Sequence, residues 1–110
     1  MGIKKEIKNI IAEHSAELAK GFFGRQSTDR KIWLTDEDYV RVYIFGNEIE
    51  IGLHWDNSAV SVFCVSGIMD NLDSVWRRFR NAFKKSIADA EEHRGDEEFL
   101  GKLKELYSLL

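Results

Sequence analysis

The sequence predicts an α+β fold: a four-stranded antiparallel β-meander with helices packed on one face, in the order α-β-β-β-β-α-α. Three observations lead there. Residues 39–66 alternate apolar and polar side chains around two short turn signals. Residues 3–20 and the stretch after Gly67 repeat apolar side chains at helical spacing. No proline, low-complexity tract or internal repeat interrupts the 110 residues, so one α+β domain spanning 1–110 is expected.

The first turn signal is Gly46-Asn47, a pair that readily supplies the positive φ of a two-residue hairpin. That loop sets Ile44 opposite Ile49, Val42 opposite Ile51, Val40 opposite Leu53 and Tyr39 opposite His54. Because side chains alternate between faces, Val40, Val42, Ile44, Ile49, Ile51, Leu53 and Trp55 gather on one side. Tyr39, Arg41, Tyr43, Phe45, Glu48, Glu50 and His54 gather on the other. A one-residue slip would mix the two sets.

The second signal is Asp56-Asn57-Ser58-Ala59. With Asn57-Ser58 as the loop, Trp55 pairs with Val60, Leu53 with Val62 and Ile51 with Cys64, all on the apolar side. Phe63 then lies over Gly52, and Val65 over Glu50, on the mixed side. Residues 31–35, KIWLT, read as an edge strand. With Asp36-Glu37 as its turn, Trp33 joins the apolar side and Ile32 and Leu34 the mixed one. The run Asp36-Glu37-Asp38 reads as a solvated acidic turn, because neighbouring carboxylates diverge.

Residues 3–20 form the first expected helix, with Ile3, Ile7, Ile10, Ile11, His14 and Leu18 on one stripe. His14 has no second metal ligand four residues away and reads as a structural histidine. Residues 21–30 are expected as a loop, with Phe22 and Phe23 folded under the helix end. In the second helix Asp70 is the expected N-cap, with Asp73 in capping-box position and a further ion pair from Asp73 to Arg77. Its stripe is Leu72, Val75, Trp76, Phe79, Ala82, Phe83, Ile87 and Ala90. Gly95 reads as its C-terminal cap and Asp96 as the N-cap of a third helix, with Phe99, Leu100, Leu103, Leu106, Tyr107 and Leu110 facing inward.

Residues 71–76, NLDSVW, resemble the NLDALW segment of barstar-type ribonuclease inhibitors, where it belongs to the inhibitory region. The likeness covers six residues and the order of elements differs elsewhere, so no role is carried across.

Composition narrows the function classes. A net charge of −3 and interspersed signs argue against a general binder of nucleic acid or anionic membrane. The lone Cys64 permits no internal disulfide and, on the apolar side, reads as a buried inert thiol. The N-terminus lacks a signal-peptide apolar run, and no stretch reaches transmembrane length, so a cytoplasmic protein is expected. No phosphate loop, dinucleotide fingerprint, zinc spacing or nucleophile elbow occurs, and no metal or cofactor is expected. A Glu-x-Lys nuclease strand is lacking too, since residues 48–50 read Glu-Ile-Glu.

What remains is the mixed face. Its Tyr39, Arg41, Tyr43, Phe45, Glu50, His54 and Phe63 have the aromatic-plus-arginine composition of interface hot spots. The leading expectation is therefore a non-enzymatic protein-interaction module. It would act as a homodimer or as an inhibitor, by analogy of size and acidity with immunity proteins and phage counter-defence proteins. One alternative is nucleic-acid binding along Arg77, Arg80 and Lys84, although the neighbouring Trp76, Phe79 and Phe83 face the core and cannot stack on bases. Another is a small acid/base enzyme using Glu50 and His54, which lie roughly 13 Å apart along one strand. A third helix wrapped around the sheet would cover the mixed face instead.

Overall fold

The computed structural model describes residues 2–20, 27–93 and 97–110. It contains α1 (Ile3–Ala19), β1 (Ser27–Trp33), β2 (Tyr39–Phe45), β3 (Glu48–His54) and β4 (Phe63–Ile68). A 3-10 turn (Met69–Asn71), α2 (Leu72–Glu92) and α3 (Glu97–Ser108) follow. The strands hydrogen-bond in chain order as one antiparallel sheet, β1-β2-β3-β4. Fold class and element order are those the sequence predicts.

The β2–β3 register is also as expected, from Tyr39 opposite His54 to Phe45 opposite Glu48. Gly46 has a φ of 61° and Asn47 does not share it, the pattern of a II′ hairpin turn with glycine at its first central position. Val40, Val42, Ile44, Ile49, Ile51 and Leu53 are at most 1% exposed. They meet Ile3 and Ile7 of α1, Leu72, Val75, Trp76, Phe79 and Phe83 of α2, and Leu103 and Leu106 of α3 in one core. Helix α1 lies along β1 and β2, α2 along β4 and β3, and α3 beside α2.

His14 is buried within this core edge. Its Nε2 lies 2.8 Å from the Gly46 carbonyl and its Nδ1 2.8 Å from Thr28 Oγ1. A carbonyl only accepts, so Nε2 carries the proton, and in the neutral ring the Thr28 hydroxyl donates to Nδ1. The histidine is structural and clasps α1 to the β2–β3 turn.

Both outer hairpins depart from expectation by one residue. Ile32 pairs with Val40 and Trp33 with Tyr39, so Ile32 faces the core and Trp33 is 48% exposed. The cause is the turn. Thr35 Oγ1 accepts the Glu37 and Asp38 N–H groups and donates to Asp38 Oδ2, while Leu34 N–H donates to the Asp38 carbonyl. Three residues therefore loop out rather than two, and the extra residue flips the strand. Leu34 turns inward with Ile32, and Asp38 is buried instead of solvated. The strand also begins earlier than expected, at Ser27.

In the other hairpin Phe63 pairs with Leu53, Cys64 with Gly52 and Val65 with Ile51. Positive φ falls at Asp56 and Asn57, the residue types that best tolerate it, and not at Ser58. Residues 58–62 then bow out before the strand begins. The slip carries Phe63 inward, where its ring lies 5.3 Å from Phe79 and 5.2 Å from Phe83. It carries Cys64 outward, so the expected buried thiol is exposed, as is Val60.

Two details of the helices differ as well. The 3-10 turn delays α2 to Leu72, its N-cap is Asn71, and no side chain caps it, so the Asp70–Asp73 box does not form. Asp73 pairs with Lys4 of α1 at 2.6 Å, in place of the expected Arg77, and that lysine holds the carboxyl below its ordinary pKa. The expected positions of Phe22, Phe23, Gly95 and Asp96 lie outside the described residues.

Candidate functional site

The face of the sheet away from the helices is built by alternate residues of all four strands. It carries Asp29, Lys31 and Trp33 from β1, with Arg41, Tyr43 and Phe45 beside them on β2. Glu48 and Glu50 follow on β3, and Ser66 and Ile68 stand opposite them on β4. Among the described residues no helix lies on it, because all three contribute their buried side chains to the core on the opposite face. The third helix does not wrap around.

At its centre Arg41 Nε and Nη2 donate to the two carboxylate oxygens of Asp29 at 2.9 and 2.7 Å. This paired geometry holds the Asp29 carboxyl below its ordinary pKa and raises that of the arginine. The same guanidinium lies 5.3 Å from the Tyr43 ring centroid. Lys31 stands 4.7 Å over the Tyr39 ring, and Trp33 packs 4.9 Å from that ring. The charged and aromatic groups thus fix one another in place.

One end of the face is closed. The loop after β3 folds over it, and Tyr39 and His54 fall to 2% and 3% exposure. Tyr39 Oη donates to the Ser58 carbonyl at 2.9 Å, and His54 Nδ1 lies 2.9 Å from the same oxygen. A hollow of about 280 Å³ remains there, lined by Asp29, Lys31, Tyr39, Arg41, His54, Asn57 and Ala59.

Of the residues expected to form a binding face, Tyr39, Arg41, Tyr43, Phe45, Glu50 and His54 do share it. Phe63 does not: the slipped register places it in the core, together with Ile32, Leu34 and Val65. In exchange the face gains Asp29, Lys31, Trp33, Cys64 and Ile68. Trp33, Phe45 and Ile68 are its most open large apolar side chains, at 48%, 40% and 57% exposure. The signal that would have found Trp33 is the Thr35–Asp38 spacing, a hydroxyl three residues before a carboxylate, which favours a longer turn. For Cys64 and Ile68 it is Asp56-Asn57, the adjacent residue types that best tolerate positive φ.

The alternative sites are less well assembled. Arg80 is held by α3, donating to Tyr107 Oη at 3.1 Å and lowering the pKa of that phenol, to which Lys84 also contributes. His54 directs Nδ1 at a backbone carbonyl while Glu50 is exposed to solvent. Among the described residues no group of His, Cys, Asp and Glu side chains is placed to hold a metal ion, and no helix is long and apolar enough to cross a membrane.

A second concavity, of about 510 Å³, lies under α3 and is lined by Asp38, Trp55, Asp56, Phe99, Lys102 and Glu105. The Lys102 ammonium occupies its polar centre, 3.1 Å from Asp38, 2.7 Å from Asp56 and 4.9 Å over the Trp55 ring. Trp55 in turn meets Phe99 edge-on at 4.9 Å. These contacts dock α3 on the end of the sheet.

Comparison of the chain with protein-family models, curated proteins and solved structures finds no match.

Proposed function

We propose that the chain is a non-enzymatic protein-interaction module that binds through the outer face of its sheet. The observation that carries this reading is the uncovered face itself, where exposed Trp33 at one end and exposed Phe45 and Ile68 at the other flank the fixed Asp29–Arg41 pair and the half-buried Tyr43. Trp, Tyr and Arg are enriched among the few residues that dominate interface energies, and exposed apolar surface on folded domains marks association. A guanidinium already held in place loses little further freedom on binding. The partner is another protein, which the chain would inhibit, or a second copy of the chain. Immunity proteins and phage counter-defence inhibitors provide the analogy for the first, through their small size and acidity. The unpaired, exposed Cys64 supports a reducing compartment such as the cytoplasm.

The test is the double substitution Tyr43→Ala with Phe45→Ala. Both side chains leave the core untouched, so thermal melting should stay close to that of the natural chain. Solution mass by light scattering reports self-association, and pull-down reports a foreign partner. Either the mass is expected to fall from dimer to monomer, or the pull-down to fall at least tenfold. If mass, pull-down and melting are all unchanged, the proposal fails.

A further inference from the structure

The two edges of the sheet are built differently. Strand β1, STDRKIW, places Asp29, Arg30 and Lys31 in succession, and charges of this kind keep an edge from pairing with other chains. Strand β4, FCVSGI, carries no charge. Its ladder to β3 sets Phe63, Val65 and Gly67 opposite Leu53, Ile51 and Ile49, and the next alternate residue, Met69, donates its N–H to the Asn47 carbonyl. Backbone groups point to alternate sides along a strand, so Cys64, Ser66 and Ile68 turn theirs away from the sheet. All three residues are exposed.

Among the described residues one side chain reaches this edge: Arg78 of α2 donates from Nη2 to the Ser66 carbonyl at 2.7 Å. Arg78 stands on the outer flank of α2, since the other flank is tied to α1 by Lys4–Asp73 and to α3 by Arg80–Tyr107. Lys85, seven residues or about two turns further along, shares that outer flank. Both cations are exposed.

We propose that the free edge of β4 accepts an extended segment of a partner protein as a fifth strand, and that this segment carries a carboxylate which Arg78 binds. An incoming strand supplies an N–H to the Ser66 carbonyl in place of the guanidinium. The released guanidinium then stands beside the new strand, where a carboxylate takes it in a paired, charge-assisted contact. Charge selects this occupant over a second copy. A β4–β4 pair centred on Ser66 would set two Arg78 guanidiniums against each other, and like charges there repel. The exposed acids of the same flank, Asp89 and Glu92, lie about three to four turns further along α2. The proposal goes beyond the outer-face reading and does not rest on it.

The probes are two blocked, labelled peptides, TEVEVET and TKVKVKT, titrated by fluorescence anisotropy near physiological salt. Amide exchange of the unmodified chain is followed by NMR in the same solutions. The glutamate peptide is expected to bind with a sub-millimolar Kd, about tenfold or more tighter than the lysine peptide, and to slow exchange at Cys64, Ser66 and Ile68. Arg78→Ala is expected to weaken the glutamate peptide while leaving the lysine peptide as strong or stronger, because the Ser66 carbonyl is then vacant. Equal affinities, no binding, or protection that bypasses those three amides overturns the proposal. Protection that grows with protein concentration and no peptide overturns it too, in favour of self-pairing.

Discussion

Tyr39 and His54 stack ring on ring, with centroids 4.8 Å apart and planes within 8° of parallel, and both reach the carbonyl of Ser58. Neighbours across the β2–β3 ladder, they form the floor onto which the loop after β3 closes. Tyr39→Phe removes one of the two contacts to that carbonyl and keeps the stack. The expected loss is about 0.5–1.5 kcal/mol in urea unfolding, with faster amide exchange across residues 58–62. An unchanged loop would mean that stacking alone holds it.

Asp38 and Lys102 give stability a pH dependence with a defined sign. Burial, the largest influence, acts to raise the Asp38 carboxyl, but bonds from the Thr35 hydroxyl, the Asp56 N–H and Lys102 outweigh it and hold the pKa below the ordinary aspartate range. The unfolded chain therefore binds that proton more readily than the folded one. The stabilisation is fully present above the unfolded pKa of about 3.9 and is lost as pH falls through the lower folded value. Asp38→Asn is expected to cost about 1–3 kcal/mol at neutral pH and to flatten the acid limb of a plot of stability against pH.

His14→Leu tests the clasp between α1 and the Gly46 turn. The side-chain volume is roughly kept, but the Gly46 carbonyl and Thr28 hydroxyl lose their partner. Urea unfolding is expected to show a loss of about 1–3 kcal/mol, with the secondary-structure signal of the folded state preserved.

Gly67→Ala tests how closely α2 approaches β4. A Cβ at Gly67 would stand 2.6 Å from both Val75 Cγ2 and Arg78 Nη2. The arginine can swing away, whereas Val75 is 1% exposed and anchored in the core. Helix and strand must separate locally, at an expected cost of about 1–3 kcal/mol in thermal or urea unfolding. The Arg78–Ser66 bond should weaken with it.

These positions also show where a sequence is legible. Gly46-Asn47 admits essentially one short loop, so the β2–β3 register follows, and with it the shared face of Tyr39, Arg41, Tyr43, Phe45, Glu50 and His54. The stripe from Leu72 to Phe83 is regular enough to name the buried side of α2. The outer hairpins are not legible in the same way. Their turns are set by a hydroxyl on Thr35 and by Asp56 and Asn57 adopting positive φ, and one extra looped residue reverses every side chain beyond it. Alternation alone could not show that Phe63 would gain more between Phe79 and Phe83 than over Gly52, because those rings arrive from a distant helix. Trp33 and Ile68 were missed for this reason, and Phe63 was misplaced for it.

The most direct test of the outer face as the functional surface is a quantitative pull-down with the natural chain beside the Tyr43→Ala, Phe45→Ala variant, each also run on light scattering. The expected result is a stoichiometric partner, or a second copy, that the natural chain holds and the equally stable variant loses at least tenfold. Equal retention and equal mass for the two chains would contradict it.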